Sequence, residues 1–265
     1  MTRVVIHGAA GRMGRRLVAL AIEDPKLELV GAMEHAEHDL IGTDAGELAG
    51  TGRADVPVDA TLPACDVVID FSLPAGTRAL LPRCREAGCG LVIGTTGLSD
   101  DRDQPAIDAA AADIPILQAP NMSLGVNLLF SLAGRVAKQL GDDYDIEIVE
   151  THHRFKRDAP SGTAMGLAKA VCESTGKTIA DDLVMDRHGD DVPRRPGQIG
   201  MHALRSGDVV GRHTVSFGAL GEEVTLGHVA TSRDVFVRGA LRGAKWLAGR
   251  KPGRYHMRDV LGLEA

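Results

Sequence analysis

The chain has 265 residues, 44% of them hydrophobic and 25% charged, and a formal net charge of −6 at pH 7. That length can bury a substantial core, as one large domain or two modest ones, and the composition excludes a disordered chain. The negative balance argues against a general nucleic-acid binder but leaves room for a local basic site.

The first predicted element is a short strand at Val4–Ile6, which stops at glycines and gives way to a helix whose apolar face is Met13, Leu17, Leu20 and Ala21. "KLELVGAME" reads as a second strand, "CDVVIDFS" as a third, and Pro74–Glu86 as a helix behind its proline start. "GLVIGTTG" is a further strand, followed by helical "DQPAIDAAAAD" and the strand "IPILQAPN". Strand and helix alternating at this spacing predict a parallel sheet with helices on both faces.

After Asn121 the rhythm changes. "LGVNLLFSLAGRVAKQL" is a long helix, "YDIEIVETHH" a strand and "SGTAMGLAKAVCES" another helix. Arg187–Gly200 reads as a surface loop. From "IGMHALRSGDVVGRHTVSFGALGEEVTLGHVA" short β-runs with glycine turns predict antiparallel hairpins, with "RSGD" as one of the turns. The last helix, "DVFVRGALRGAKWLAG", sets Val237, Leu241, Ala244 and Ala248 on one face. The expected fold is therefore an α/β parallel-sheet half ending near residue 123 and a mixed α+β half behind it.

The four cysteines, Cys65, Cys84, Cys89 and Cys172, match neither a redox pair nor a zinc pattern. Buried thiols of a cytoplasmic protein are expected, with no leader and no membrane span. No His, Cys and Asp set has metal spacing.

Between the first strand and helix lies "GAAGRMG", with Gly8, Gly11 and Gly14. A dinucleotide site needs glycine there for the tight turn, for backbone approach to a pyrophosphate and for close helix–sheet packing, while the helix N-terminus offers N–H groups to the phosphates. Gly8, Ala9, Ala10, Gly11, Arg12 and Met13 are the candidate residues. Glu34, about 20 residues on at the end of the second strand, is placed to accept from ribose hydroxyls. A carboxylate there disfavours a 2′-phosphate and so favours NADH; His35 and Arg12 can offset that repulsion, which leaves NADPH open. Gly94, Thr95 and Thr96, and then Ala119, Pro120, Asn121 and Met122, end later strands and should border the same crevice.

Residues 150–163, "ETHHRFKRDAPSGT", are unlike the rest. Histidine suits proton transfer near neutrality. His152 and His153 are adjacent, so a strand would turn them to opposite faces. Lys156 adds a compact charge, and Ser161, Gly162 and Thr163 open a helix whose N-terminus suits a carboxylate. An anionic substrate follows, most simply a dicarboxylate. Arg154 and Arg157 read as ordinary surface residues; Arg205 and Arg233 are weaker candidates for reaching an anion.

"VVIHGAAGRMG", "DFSLP", "GTTG", "APNMS" and above all "ETHHRFKRDAPSGTA", with "RSGDVVGRHTVSF" and "MRDVLGL", resemble the signature segments of the 4-hydroxy-tetrahydrodipicolinate (dihydrodipicolinate) reductase family. The resemblance implies a Rossmann-like dinucleotide-binding domain at 1–123 completed by 233–265, and a substrate-binding and tetramerisation domain at 124–232. It implies reduction of a cyclic dicarboxylate by NADH or NADPH on the diaminopimelate route to lysine, in a homotetramer. It puts the proton donor on His152, the essential cation on Lys156, and carboxylate ligands on His153 and Gly162–Thr163. Many members carry arginine where this chain has His35. Two other readings share parts of the pattern. An amino-acid dehydrogenase explains the glycine loop but not the basic cluster, and a non-catalytic nucleotide-binding protein has no need of His152 and Lys156.

Overall fold

Val4, Val5 and Ile6 have no exposed surface and alternate between two apolar cores, as a strand covered on both faces must. The computed structural model describes residues 1–263; the last two residues of the segment expected to complete the first domain lie outside the described residues. The strand, β1 (Thr2–His7), leads into α1 (Arg12–Glu23) and β2 (Leu27–Met33), then α2 (Ala45–Ala49), β3 (Val58–Asp59) and β4 (Val67–Asp70). Next come α3 (Pro74–Ala87), β5 (Gly90–Ile93), α4 (Asp103–Ala111), β6 (Pro115–Gln118) and α5 (Leu124–Leu140). The middle of the chain forms β7 (Asp145–His152), α6 (Gly162–Thr175), α7 (Ile179–Asp182), β8 (Leu183–Val184), β9 (Ile199–Arg205), β10 (Gly211–Ala219) and β11 (Glu222–Ala230). It closes with α8 (Asp234–Leu247), β12 (Gly253–Tyr255) and α9 (Met257–Leu261).

These elements form two compact units. One is Met1–Leu124 with the chain from Asp234 onward, and the other is Gly125–Arg233. The first holds a parallel sheet in the order β12-β6-β5-β4-β1-β2-β3, the doubly wound Rossmann-like order with one strand added at the edge. On one face Val4, Ile6, Val67 and Ile69 pack against Leu17 and Leu20 of α1 and Val237, Leu241 and Ala244 of α8. On the other, Val5, Val68, Leu91 and Ile93 meet Leu80 and Cys84 of α3 and Ile107 of α4. Pro74 starts α3, where its missing N–H costs no helical bond, and Gly88 ends it in the left-handed region at φ 65°. Cys89 Sγ lies 3.8 Å from the Cys84 carbonyl oxygen, and all four cysteines are free thiols.

The second unit holds a mixed sheet in the order β11-β10-β7-β9-β8. β10 is antiparallel to both β7 and β11, while β7 and β8 each run parallel to β9. Ile146, Ile148, Met201, Val215 and Phe217 cover one face and pack against Leu167, Ala168 and Val171 of α6. The β10–β11 hairpin is as expected. The "RSGD" turn is not a hairpin: β9 and β10 both pair with β7, which lies between them. Turn residues set a chain reversal but do not say whether a third strand occupies the gap. Among the described residues no helix is long and apolar enough to cross a membrane.

α8 lies unusually close to the end of β6. A Cβ on Gly239 would fall 1.7 Å from the Met122 carbonyl oxygen, and one on Gly243 would fall 2.5 Å from Leu117 Cδ2. Gly239→Ala should therefore push backbone apart and destabilise the first unit by about 1–3 kcal/mol. Urea unfolding of the purified variant checks this as a lowered midpoint with an unchanged slope.

Candidate functional site

In the first unit the glycine loop is shaped by contacts that no larger residue permits. Gly8 has φ 79°, and a Cβ there would lie 2.7 Å from the Phe71 carbonyl oxygen. A Cβ on Gly14 would come within 2.0 Å of the Gly8 carbonyl oxygen. The loop is tied down by Gly8 N–H and Ala9 N–H, which donate to the Met33 carbonyl at 3.0 and 3.2 Å. Gly11 is the N-cap of α1 and brings no side chain to its first-turn N–H groups. Gly11, Arg12, Met13, Gly94, Thr95, Thr96 and Ala119–Met122 line one cavity of about 500 Å³. Gly8 and Ala9 are buried beneath the loop, and Ala10, Glu34 and His35 do not line the cavity.

Glu34 is at the end of β2 as expected, with a tie that sequence spacing did not suggest: its Oε1 accepts from Ala10 N–H at 2.9 Å. Exposed His35 meets His38 edge to face, with ring centroids 5.1 Å apart. Phe71, Ser72 and Phe236 also line the cavity and were missed by the sequence reading. Phe71 lies so close over Gly94 that a Cβ there would be 2.3 Å from its ring. The strand end beneath is braced by Asp70, which has no exposed side-chain surface. It accepts from Thr77 Oγ1 at 2.5 Å and Ser72 N–H at 3.1 Å, and meets His7 Nδ1 at 2.8 Å. Burial works to raise its pKa, but these partners, His7 foremost, hold it below the usual carboxylate range. A strand-end crevice, an uncapped helix start and backbone in close approach fit a dinucleotide.

In the second unit β7 runs into the basic cluster. Glu150 is fully buried, with its Oε2 2.6 Å from His152 Nδ1. Arg205 donates to both carboxylate oxygens at 2.9 Å, and Ser161 N–H donates to Oε1 at 2.9 Å. Burial pushes Glu150 up, but Arg205, His152 and Ser161 outweigh it and keep the carboxyl ionised. Burial likewise lowers His152, opposed by Glu150. Arg205 does reach an anion, and that anion is the protein's own.

Ser161 caps α6, accepting from Ala164 N–H at 3.1 Å, and its Oγ lies 3.2 Å from His213 Nε2. His213, unmarked by the sequence reading, is 3% exposed and stacks edge-on to His152 at 5.1 Å. Burial, then the neighbouring His152, lowers its pKa to about 4. Gly162 and Thr163 open α6 beside this cap, behind a cis Ala159–Pro160 bond. Lys156 Nζ lies 2.9 Å from Asp158, and His153 Nε2 lies 3.4 Å from Arg233 Nη2. His152 and His153 thus take different partners, while Arg154 and Arg157 are exposed. Among the described residues no group of three or more His, Cys, Asp or Glu can hold a metal ion.

Known proteins resemble the chain along its length. The family model "Dihydrodipicolinate reductase, N-terminus" matches residues 2–122, and "Dihydrodipicolinate reductase, C-terminus" matches residues 125–261. A 4-hydroxy-tetrahydrodipicolinate reductase of Alkalilimnicola ehrlichii is 49% identical over 99% of both chains. One of Hahella chejuensis is 46% identical over 100% of both. A dipicolinate-bound dihydrodipicolinate reductase from Paenisporosarcina sp. TG-14 has the same fold, with TM-score 0.75 and 24% identity over 97% of each chain.

The low pKa of His213 links stability to pH. Its folded value of about 4 lies below the ordinary histidine value, so the unfolded chain binds the extra proton between the two. The stabilisation is complete above about pH 6.5 and is lost as pH falls toward about 4, a change on the order of 3 kcal/mol. Urea unfolding at about pH 7.5 and about pH 5 should show His213→Asn losing less stability between the two than the parent.

Proposed function

This chain belongs to the dihydrodipicolinate reductase family, and from that premise we propose how its residues divide the reaction. It reduces 4-hydroxy-tetrahydrodipicolinate to tetrahydrodipicolinate with loss of water, using a reduced nicotinamide dinucleotide, on the diaminopimelate route to lysine. Its substrate is a small-molecule dicarboxylate. The observation that carries the residue roles is the basic cluster, where a histidine gripped by a buried carboxylate shares one short segment with Lys156 and the α6 cap.

A reduced nicotinamide dinucleotide held along the glycine-loop cavity would supply the hydride. Net, one hydride and one proton enter and one water leaves, so the protein must offer a proton and hold a dianion. His152 is the proton donor. Glu150 occupies its Nδ1, so the imidazolium gives its Nε2 proton to the substrate and is left as the Nδ1–H tautomer. Lys156 is the fixed cation against charge on the substrate. His153, Ser161, Gly162 and Thr163 take the carboxylates, aided by the positive end of α6. Gly8–Met13, Gly94–Thr96 and Ala119–Met122 hold the dinucleotide, and Glu34 takes the adenosine ribose. NADH is the favoured coenzyme because an acid at Glu34 repels a 2′-phosphate, with His35 moderating that repulsion. The enzyme works in the cytoplasm, where free thiols stay reduced.

Assay with freshly generated substrate tests these roles. His152→Ala should lower kcat by roughly 10²–10³-fold, while Lys156→Ala should act mainly on KM and on kcat/KM. kcat/KM should be higher with NADH than with NADPH, and His35→Arg should move the ratio about 10-fold toward NADPH. Full activity in both His152→Ala and Lys156→Ala overturns the assignment.

The second unit is also the proposed tetramerisation domain. The sheet face turned away from α6 carries half-buried Val149, Thr151, Thr214 and Ser216, with exposed Leu204 and Val229 beside them. Such a face, in which apolar and hydroxyl side chains stand beside Glu147, His202 and Arg212, suits a second copy of itself. Sedimentation equilibrium should give four times the chain mass of 27.9 kDa, and a Val149→Glu variant should give a smaller species.

A further inference from the structure

The second unit contains a buried acid to which the proposed reaction gives no direct part. Glu150 has no exposed side-chain surface, and its two oxygens serve different parts of the cluster. Oε2 takes His152 Nδ1 at 2.6 Å and Arg205 Nη1 at 2.9 Å. Oε1 takes Ser161 N–H and Arg205 Nη2, both at 2.9 Å. We propose that Glu150, held by Arg205, is the positioning residue of the site: it fixes the His152 proton on Nδ1 and, through Ser161, the start of α6, so that one carboxylate aligns the proton donor with the anion cradle. This rests on the reading of His152 as the donor.

An ionised carboxylate only accepts hydrogen bonds, so His152 Nδ1 must carry a proton and Nε2 becomes the working atom. The space next to Nε2 is kept by Gly211, where a Cβ would come within 3.2 Å of it. His213 cannot substitute, because its Nε2 is committed to Ser161 Oγ. The charged and titratable groups facing His152 are Glu150 on its own strand, Arg205 on β9, Lys156 on the following loop with its partner Asp158, and His213 on β10. Glu150 is the acid that touches the ring, so it supplies the direct attraction for an imidazolium.

Glutamine at position 150 keeps the shape and breaks the logic. Ser161 N–H needs an oxygen, which turns the amide NH2 toward Arg205 Nη1 and His152 Nδ1. Nδ1 must then accept, and the proton moves to Nε2.

The test is nitrogen-resolved imidazole NMR of the free, full-length enzyme, with the His152 signals identified by their loss in His152→Asn. The parent should show the proton on Nδ1, and Glu150→Gln should show it on Nε2. Kinetically, Glu150→Gln should lower kcat on the order of 100-fold, because the donor form is the imidazolium and its Nδ1–H would then face an amide NH2 where the carboxylate stood. Loss of the anion disfavours imidazolium, so the limb on which activity falls with rising pH should move about one unit lower.

A parent enzyme with the proton on Nε2 overturns the proposal even if Glu150→Gln fails to fold. So does a Glu150→Gln enzyme with parental tautomer, turnover and pH profile. Full turnover in His152→Asn overturns the donor reading instead, and the tautomer measurement still decides separately whether Glu150 sets the ring proton.

Discussion

A carboxylate in a dry interior must find donors or give up its charge, and the second unit is organised around one that keeps it. Glu150 draws on β7 through His152, β9 through Arg205 and the α6 cap through Ser161. Two neighbouring elements and a third 55 residues away are therefore bound to one point. The register of β7 on β9 belongs to the same arrangement, with His152 directly across from Arg205. A slip of one residue would turn Glu150 to the opposite sheet face and leave the guanidinium and the Ser161 amide without it. The ion pair is thus a register lock as much as an electrostatic term.

The first unit solves a different problem with the opposite means. Its cradle depends on side chains that are missing. Gly8, Gly14, Gly94 and Gly239 each stand where a Cβ would meet backbone or an aromatic ring at 2.7 Å or less. Charge enters sparingly, through Arg12 in the cavity wall, Asp70 under the strand ends and Glu34 on the glycine loop. Because Glu34 Oε1 also holds Ala10 N–H, the acid that would read the ribose shares its position with the loop that would hold the pyrophosphate.

The alternating strands and helices of the first unit were legible because each strand is an apolar run and each helix has one apolar face. Two- to five-residue elements such as β3, α2 and α9 are too short to show a period. The glycine loop and "ETHHRFKRDAPSGT" were legible because their residue types have few structural reasons to cluster. Glu150 opens that stretch, yet nothing in its own position on β7 marks it for a role. Nothing local tells that Arg205, 55 positions away, will pair with it. His213 was silent for the same reason: its meaning lies in Ser161 and His152, which only the β10–β7 pairing brings near. The "RSGD" turn failed similarly, since pairing order is a property of the whole sheet.

The first unit is discontinuous in the chain, and one face of its sheet is covered by α8, whose Val237, Leu241 and Ala244 lie more than a hundred residues after β6. During synthesis that face has α1 but not α8 over it while the middle of the chain is being made, whereas the second unit is continuous and has all its parts first. At roughly 5–20 residues per second the wait is on the order of ten seconds. For that interval the nascent protein carries a finished insert between the two parts of an unfinished host, with a half-covered apolar sheet face of the kind that chaperones bind. The order of maturation runs against the order of the sequence: the unit that begins first is completed last.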